Sequence, residues 1–307
     1  MKWGTHMTLA LGSLQLGLMY GLLAMGVFIS FRILNTPDLT AEGSFTLGVA
    51  TSAMVTLTGA PYLGLLAAFL CGMAAGAVTG LLQTKVGIHP ILAGILTMSG
   101  LYTVNLAIMG ASANVSLIGK ETLYQQLFAL LAPLSKDVVK LVVALVLAAL
   151  VLAMLIWFFK THLGLCIRAT GNNEAMVRSS SINASAMKIM GLAVSNGCIA
   201  LSGGIVAQYQ GYADISSGIG ILVVGLASVI IGEAVFGRRG VTVGLVSAIV
   251  GSVLYRFIIS LALSTNVFPA YFLKLISAVI VGVALSIPTI QEALARQRQR
   301  REGKRDA

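Results

Sequence analysis

The chain has 307 residues, of which 57% are apolar and only 10% are charged, with 20 Lys and Arg residues against 10 Asp and Glu. A soluble domain carries about 25% charged residues, so this composition leaves too little polar surface to coat a water-facing fold. It excludes a disordered or collagen-like chain and a soluble enzyme, and it predicts a protein embedded in a lipid bilayer. The three cysteines lie far apart without a Cys-x-x-Cys or Cys/His pairing, which predicts neither a disulfide framework nor a metal site.

Apolar runs of about 20 residues predict an all-α polytopic membrane protein with about nine spans, within a range of eight to ten, in a single domain covering residues 1–307. The weakest is the second run, which Glu42 and Gly43 interrupt. In chain order the predicted spans are Leu9–Phe31, Leu39–Leu57, Leu63–Leu82, Pro90–Met109, Val138–Phe159, Met187–Tyr209, Gly218–Phe236, Val241–Leu263 and Tyr271–Ile290.

Basic residues concentrate in alternate loops. One set of loops, together with the C-terminal tail, holds 14 of the 20, whereas the opposite set holds only Lys2, Lys120, Lys136 and Lys140. Because cytoplasmic loops retain Lys and Arg, this distribution predicts an N-terminus outside and a C-terminus inside. The basic tail, residues 291–307, is expected to fix this orientation and to contact anionic lipid, not nucleic acid.

Two connections between spans are long. The external one, Gly110–Asp137, includes an amphipathic stretch, residues 121–131, that is expected to lie along the membrane surface. The cytoplasmic one, residues 160–186, reads RATGNNEAMVRSSSIN from Arg168 to Asn183. Its Asn and Glu residues suit a helix start, which predicts a short surface helix over residues 175–180, with a solvated connector as the alternative.

Three more details define that cytoplasmic segment. Asn172 or Asn173 is the expected cap of the short helix, and Asn183 or Ser185 the expected cap of the next span. Glu174 would lie in the first helical turn, where a negative charge is favourable.

Motifs for catalysis are missing from the sequence. Gly119-Lys120 and Gly303-Lys304 are not followed by Ser or Thr, so there is no phosphate-binding P-loop, and no intramembrane protease motif is present. The chain is therefore expected not to be an enzyme and to hold no cofactor. If ATP drives it, a partner chain binds the ATP.

Four acidic residues, Asp38, Glu42, Asp214 and Glu233, are expected at or near span ends. Carriers driven by protons or sodium usually place ionisable groups near mid-membrane, so this arrangement argues against such a carrier but leaves it open.

The cytoplasmic segment resembles a known family, the inner-membrane permease subunits of bacterial ABC importers of the branched-chain amino acid and ribose type. RATGNNEAM at Arg168–Met176, followed by Ile182, is similar to the family's "RATGDNxxMARxxGI" coupling segment, with Ser181 where the family usually has Gly. Further similar stretches are Asn35–Gly48 (NTPDLTAEGSFTLG), Gly203-Gly204, Gln208–Asp214 (QYQGYAD) and Gly225–Ala234 (GLASVIIGEA).

The resemblance implies that two such permeases form a pathway, that two cytosolic P-loop ATPases receive the coupling helices, and that an extracytoplasmic binding protein delivers the solute. We expect a homodimer in the bacterial inner membrane that imports a small polar solute, with a hydrophobic or aromatic amino acid favoured over a sugar or nucleoside. A secondary carrier and a membrane scaffold without transport are the alternatives. The residues expected to contact the ATPase are Gly171, Asn172, Asn173, Glu174, Ala175, Met176, Arg178 and Ile182.

Six residues are candidates for the solute pathway. The stretch Asn35–Asp38 contains Pro37, which predicts either a broken, re-entering helix or an ordinary polar turn. Asp38-Leu-Thr-Ala is similar to Asp214-Ile-Ser-Ser on the opposite predicted side, as a possible inverted repeat would require. The pathway candidates are Asn35, Asp38, Glu42, Gln208, Asp214 and Arg256.

Arg256 is the most unusual charge because it falls within a predicted span. It is expected either to snorkel to the outer interface or, with Lys274, to meet a carboxylate, which would be that of Asp214 or of the solute.

Overall fold

A computed structural model gives the fold and describes residues 2–130 and 135–264, together with positions 275, 278, 279, 282 and 286. The described chain is helical except for one short two-stranded sheet. Its elements are α1 (Lys2–Phe28), α2 (Thr40–Leu57), α3 (Pro61–Leu81), α4 (Pro90–Ile108), β1 (Asn114–Ser116), α5 (Leu123–Leu130), α6 (Lys136–Lys160), α7 (His162–Asn172), α8 (Glu174–Ser179), α9 (Ala184–Gln210), β2 (Tyr212–Asp214), α10 (Ile221–Phe236) and α11 (Val241–Ser264).

The predicted all-α polytopic fold is confirmed. Six helices of the described part are long and apolar enough to cross a membrane, and α10 is a shorter apolar helix. The second predicted span, α2, is not among the six, although it is one continuous helix with Glu42 in its first turn. Its hydroxyl-rich sequence is accommodated because protein, not lipid, surrounds most of it. The ninth predicted span, Tyr271–Ile290, falls outside the described residues except for the isolated positions named above.

The core of the bundle consists of α1, α2 and α9. In the most apolar 18-residue stretch of each helix, 83% of the residues of α1 and 78% of those of α9 are buried, against 22% in α4 and 28% in α6. The outer helices present exposed Leu, Ile and Val side chains, as lipid-facing helices do. Small residues allow the inner helices to approach closely: a Cβ on Gly76 of α3 would lie 2.2 Å from the carbonyl oxygen of Leu192 in α9.

The direction of each helix follows from its contacts. Ser195 and Ser202 of α9 donate hydrogen bonds to the carbonyls of Gly26 and Met19, so α1 and α9 are antiparallel. Ser44 and Ser52 of α2 bond residues 196 and 204, so α2 runs parallel to α9. One end of the bundle, the sheet end, holds β1, β2 and α5, and the other, the α8 end, holds α7 and α8. Which end faces the cytoplasm stays a prediction.

Two parts of the chain share one local design. The long helix α1 is followed by Asp38 and the short α2, and the long helix α9 is followed by Asp214 and the short α10. Asp38 Oδ1 accepts a hydrogen bond from the backbone N–H of Thr40 at 2.9 Å, and Asp214 Oδ1 accepts one from Ser216 at 2.7 Å. The packing corresponds as well: α3 of the first part packs on α9 of the second, and α11 of the second part packs on α1 of the first. Because α1 and α9 are antiparallel, these correspondences support the inverted repeat.

Both long connections are more helical than a simple loop. The amphipathic stretch predicted at 121–131 contains α5, as expected. Residues 160–186 contain not only the predicted short helix but also α7, which the sequence analysis missed. Its signal was the helical spacing of Cys166, Ile167 and Thr170, all of which are buried.

Candidate functional site

The short helix α8 projects from the bundle between α7 and α9. Asn173 is its N-cap, and the Asn173 side chain accepts a hydrogen bond from the backbone N–H of Met176 at 3.1 Å. Asn183 caps α9 in the same way, through the N–H of Ala186 at 3.0 Å. Each of these was one of the two caps predicted, and Asn172 instead lies in the last turn of α7. The helix ends at Ser179, close to the predicted end.

Charge and burial fix the orientation of α8. The Glu174 carboxylate pairs with Lys188 at the start of α9 and with Arg178 one turn along α8, at 2.7 Å. The hydrogen bond from Lys188, with a smaller contribution from Arg178, lowers the pKa of Glu174 below its ordinary value. Val177 is buried at 1% exposure, whereas Met176 is 61% exposed. The helix therefore holds an apolar side chain outward on a rigid support.

The remaining residues predicted to contact an ATPase divide into two groups. Ala175 and Arg178 are exposed like Met176. In contrast, Ile182 is partly buried and packs against the core, and Gly171 lies against the end of α1, where a Cβ would come within 1.8 Å of the Ile33 carbonyl oxygen. These two residues position the helix and are not part of its exposed face.

Ser181 makes the tight turn that follows α8. Its φ is +59°, in the left-handed region that favours glycine. The turn therefore has a left-handed backbone at the position where the resemblance led us to expect Gly, although this chain has a serine there.

Asp38 lies deep in the bundle. It stands just before Thr40, the first residue of α2, and therefore at a span end as predicted, but that end of α2 is buried in the interior of the protein. The Asp38 carboxylate is fully buried and accepts a hydrogen bond from Asn196 Nδ2 at 2.6 Å. Asn196 is twelve residues from the start of α9 and fourteen from its end, which places it at the middle of a helix about 40 Å long. The chain after α1 therefore re-enters the bundle, through a π turn at Ile29–Ile33, before α2 begins.

The Asn196 amide joins several buried polar groups at that depth. Its Oδ1 accepts a hydrogen bond from Ser44 at 2.7 Å. Next to it, the hydroxyls of Thr40 and Thr79 lie 2.7 Å apart, which ties α2 to α3. Buried polar groups are costly unless they are paired, and these pairs fix the mutual register of α2, α3 and α9.

A second segment enters the bundle from the sheet end, and Glu42 contacts it there. Residues 215–220, here the re-entrant segment, connect β2 to α10, and Glu42 Oε1 accepts a hydrogen bond from the N–H of Gly220 at 3.0 Å. The first turns of the short helices α2 and α10 therefore meet inside the bundle. In broken-helix transporters, such paired helix starts lie at the binding site near the membrane midplane.

A cavity of about 520 Å³ opens beside Glu42, between α2, α4 and the re-entrant segment. Asn105 Oδ1 is buried there without a hydrogen-bond partner in the described part of the chain. The α4 residues were missed because they look like ordinary span residues, although Ser99 and Asn105 are polar positions in an apolar run. The lining consists of Glu42, Gly43, Thr46, Met98, Ser99, Tyr102, Asn105, Ile215, Gly218 and Ile219.

A smaller cavity of about 190 Å³ lies on the other side of the re-entrant segment, and Asp214, Tyr20 and Phe45 are among its lining residues. Tyr20 and Phe45 stack with their ring centroids 6.0 Å apart. The Arg256 guanidinium lies over the Tyr20 ring, 3.8 Å from its centroid, which is a cation–π contact. Within the described residues no ion pair joins Arg256 to Asp214, so the structure does not have that predicted pair. Lys274 lies outside the described residues.

Of the six pathway candidates, Glu42 and Asp214 line these two cavities, and Asp38, Arg256, Gln208 and Asn35 do not. Gln208 is buried with its amide fully used: it donates to Ser52 Oγ and to the Pro61 carbonyl, and it accepts from the N–H of Leu123, each at 3.0 Å. It is a structural tie between α9, α2, α3 and the start of α5. Asn35 is exposed in the bend after α1, with a φ of +50°.

The larger cavity suits a small molecule with an apolar body and a cationic group. Its volume falls within the range of about 300–1,000 Å³ that is usual for ligand sites. Methionine, tyrosine and isoleucine side chains supply an apolar wall, and the Glu42 carboxylate and Asn105 carbonyl are acceptors. Among the residues described here, no cluster of His, Cys, Asp and Glu could hold a metal ion.

Comparison with known proteins agrees with this architecture. The tyrosine transport system permease protein of Clostridioides difficile (strain R20291) is 38% identical over 278 residues, which cover 90% of each chain. An uncharacterized protein of Rickettsia prowazekii (strain Madrid E) is 31% identical over 91% of this chain and 98% of its own length. A D-allose transport system permease protein of Escherichia coli (strain K12) is 28% identical over 71% of this chain and 65% of its own. No solved structure matches.

A family description matches almost the whole chain, over residues 9–284: the permease component of branched-chain amino acid transport systems. Together with the relatives and the apolar helices, it identifies a multi-pass protein of the bacterial inner membrane that acts in transport and not in catalysis. The chain belongs to the family of branched-chain amino acid transport system permease components.

Proposed function

We propose that this permease forms the pathway of an ABC-type importer, powered by a separate P-loop ATPase and supplied by an extracytoplasmic solute-binding protein. The observation that carries the proposal is α8, a short helix with Met176 exposed on one side and its base held by the Glu174–Lys188 pair. A helix fixed between two other helices transmits a push at its tip to both of them. ATP binds to the partner chain, and this chain holds no cofactor.

The pathway itself is formed by two copies of the permease, and its solute is an amino acid with a hydrophobic or aromatic side chain. The 520 Å³ cavity supports that choice, because its apolar wall suits such a side chain and its acceptors Glu42 and Asn105 suit an ammonium group. The relative from C. difficile, named a tyrosine transport permease, supports the same class. A sugar would leave the apolar wall without a complementary surface.

The test is reconstitution of the purified chain in liposomes with the ATPase and binding protein that co-purify with it. We expect ATP-dependent uptake of labelled tyrosine, inhibited by excess phenylalanine or leucine and not by allose. Uptake by the chain alone under an imposed proton or sodium gradient would contradict the proposal and support a secondary carrier, for which the deeply buried Asp38 is the relevant group. A chain that copurifies with no ATPase and transports nothing would instead be a scaffold.

A substitution in α8 tests the coupling role of this helix separately. Met176→Asp places an unpaired charge in the expected apolar contact, so ATP hydrolysis stimulated by the loaded binding protein should fall at least about tenfold. Ile118→Asp is the matched control in an assay that omits the binding protein, namely the amount of ATPase that the purified permease retains, since Ile118 is 86% exposed at the sheet end, away from the proposed ATPase. Equal ATPase retention by both variants would place ATPase docking elsewhere on the α8 end.

A further inference from the structure

The α8 end contains a strongly cationic cavity that the transport pathway does not use. Its volume is about 270 Å³, and it lies between the end of α1, helix α7 and the turn from α10 to α11. Four arginines, Arg32, Arg168, Arg238 and Arg239, line it together with one acidic residue, Glu233. The charged lining therefore carries three more positive than negative charges.

Glu233 balances only part of this charge. It forms ion pairs with Arg32 and, at 3.3 Å, with Arg238. In residues 2–130 and 135–264, no ion pair or side-chain hydrogen bond involves Arg168 or Arg239. Arg168 is half-buried, so its charge has lost part of its water without gaining an acidic partner. A bound anion would supply that partner.

The geometry of the cavity favours a phosphate as the anion. Guanidinium groups bind phosphate oxygens in a two-pronged manner, and four of them converge here. The start of the 24-residue helix α11 also faces the cavity, through Gly240, Val241 and Gly244. Its first turn contains no acidic residue, so its free N–H groups and positive dipole end add to the attraction.

A second cavity, with apolar walls beside the basic side chains of Lys160 and Arg168, adjoins the cationic one. Its volume is about 230 Å³, and it shares Arg168, Gly240 and Val241 with the first cavity. Its other walls are Ile156, Phe159 and Lys160 of α6, with Thr242 and Val243 of α11. Trp157, next to Ile156, is 69% exposed on the outer helix α6, which is one of the lipid-facing helices. A free phosphate ion would leave the apolar walls of this cavity uncovered, whereas a phospholipid would fill both cavities.

We propose that the two cavities bind the phosphate group of an anionic phospholipid, with the beginning of an acyl chain against α6 and α11. The phosphate lies between Arg168 of α7 and Arg239 of the α10–α11 turn. The lipid thereby links the segment that leads into α8 to the turn between two core-packed helices. This site is independent of the identity of the transported solute.

Fluorescence quenching can test the site directly, because the chain has only two tryptophans, Trp3 and Trp157. On a Trp3→Phe background, the full-length protein is placed in nanodiscs that contain either brominated phosphatidylglycerol or brominated phosphatidylcholine at equal bromine content. We expect Trp157 to be quenched preferentially by the anionic lipid. Arg168→Gln and Arg239→Gln should each reduce that preference about fivefold, and Arg168→Lys, which keeps the charge but loses the two-pronged contact, should reduce it less than Arg168→Gln does.

Controls and outcomes separate the possible sources of the phosphate. Lys85→Gln removes one positive charge at the same end of the bundle but outside both cavities, and it should leave the preference unchanged. If inorganic phosphate at tens of millimolar abolishes the preference, the site binds free phosphate and the lipid assignment is overturned. Equal quenching by both lipids, or a preference that neither arginine variant reduces while each remains folded, also overturns it.

Discussion

Gly48 of α2 is a position at which even the smallest side chain should be damaging. A Cβ there would lie 1.8 Å from the carbonyl oxygen of Ala200 in α9, whereas ordinary contact begins at 3.4 Å. Gly48→Ala therefore requires α2 and α9 to separate by about 1.6 Å, the difference between those distances. The obstacle is backbone, so no side-chain rotation can relieve the contact.

The separation would break hydrogen bonds on both sides of Gly48. The Ser44–Asn196 bond is 2.7 Å and the bond from Ser52 to the Gly204 carbonyl is 3.1 Å, so both would exceed 3.5 Å. Two lost bonds cost about 2 kcal/mol and overpacking costs about 1–3 kcal/mol, while alanine's better helix propensity returns about 1 kcal/mol. The expected net destabilisation is about 2–4 kcal/mol.

Thermal unfolding of the solubilised protein measures this effect. On a Cys71→Ala background, a thiol-reactive dye reports exposure of Cys166 and Cys198, both of which are buried in the folded protein. We expect the midpoint to fall by at least about 5 °C. Gly100→Ala is the matched control, because a Cβ on Gly100 of α4 meets nothing within 4 Å. Equal midpoints in the two variants would refute the close packing of α2 on α9.

Two further predictions concern α8 and the turn after it. Ser181→Gly should raise stability by about 0.5–1 kcal/mol in the same assay, because it relieves a φ of +59°, whereas Ser180→Gly, at a φ of −92°, should not. Since the folded pKa of Glu174 is lowered, its ion pairs stabilise the protein fully above about pH 4.5 and are lost as the pH falls through the lowered pKa. The midpoint difference between the parent protein and Glu174→Gln, followed by tryptophan fluorescence because a thiol-reactive dye needs a thiolate, should therefore vanish in acid. A constant difference from pH 7 to pH 3 would contradict the role of the Glu174 pairs.

The local chemistry of α8 was accessible from the sequence. Asn173, Glu174 and Asn183 act through hydrogen bonds and charges within one or two turns of the backbone, so their residue types predicted the short helix and narrowed each cap to two residues. Whether Met176 or Ile182 faces outward depends on how α8 packs against α7 and α9. That packing is tertiary, and it separated two residues that the sequence had placed in one docking surface.

The candidate solute site was only partly accessible. Glu42 stood out as a charge in an apolar run, but its partner Gly220 is 178 residues away in sequence. Ser99 and Asn105 gave a weak signal, since single polar residues within spans often bond their own helix. Arg256 stood out as well, but its contact is the ring of Tyr20, an aromatic residue that a sequence pattern cannot distinguish from others in the core.

The sequence by itself determined the solvent of this protein, the helical type of its main elements, and its family, because these depend on composition, on run length and on short motifs. Only the tertiary structure decided the depth of Asp38, which the run pattern placed near a span end and the fold places beside Asn196 in the middle of α9. The physical reason is that hydropathy records whether a residue tolerates lipid and not where the chain turns back. A segment buried within protein can carry a polar group deep into the bundle, provided that a partner reaches it from another part of the chain, as Asn196 does from 158 residues away in sequence.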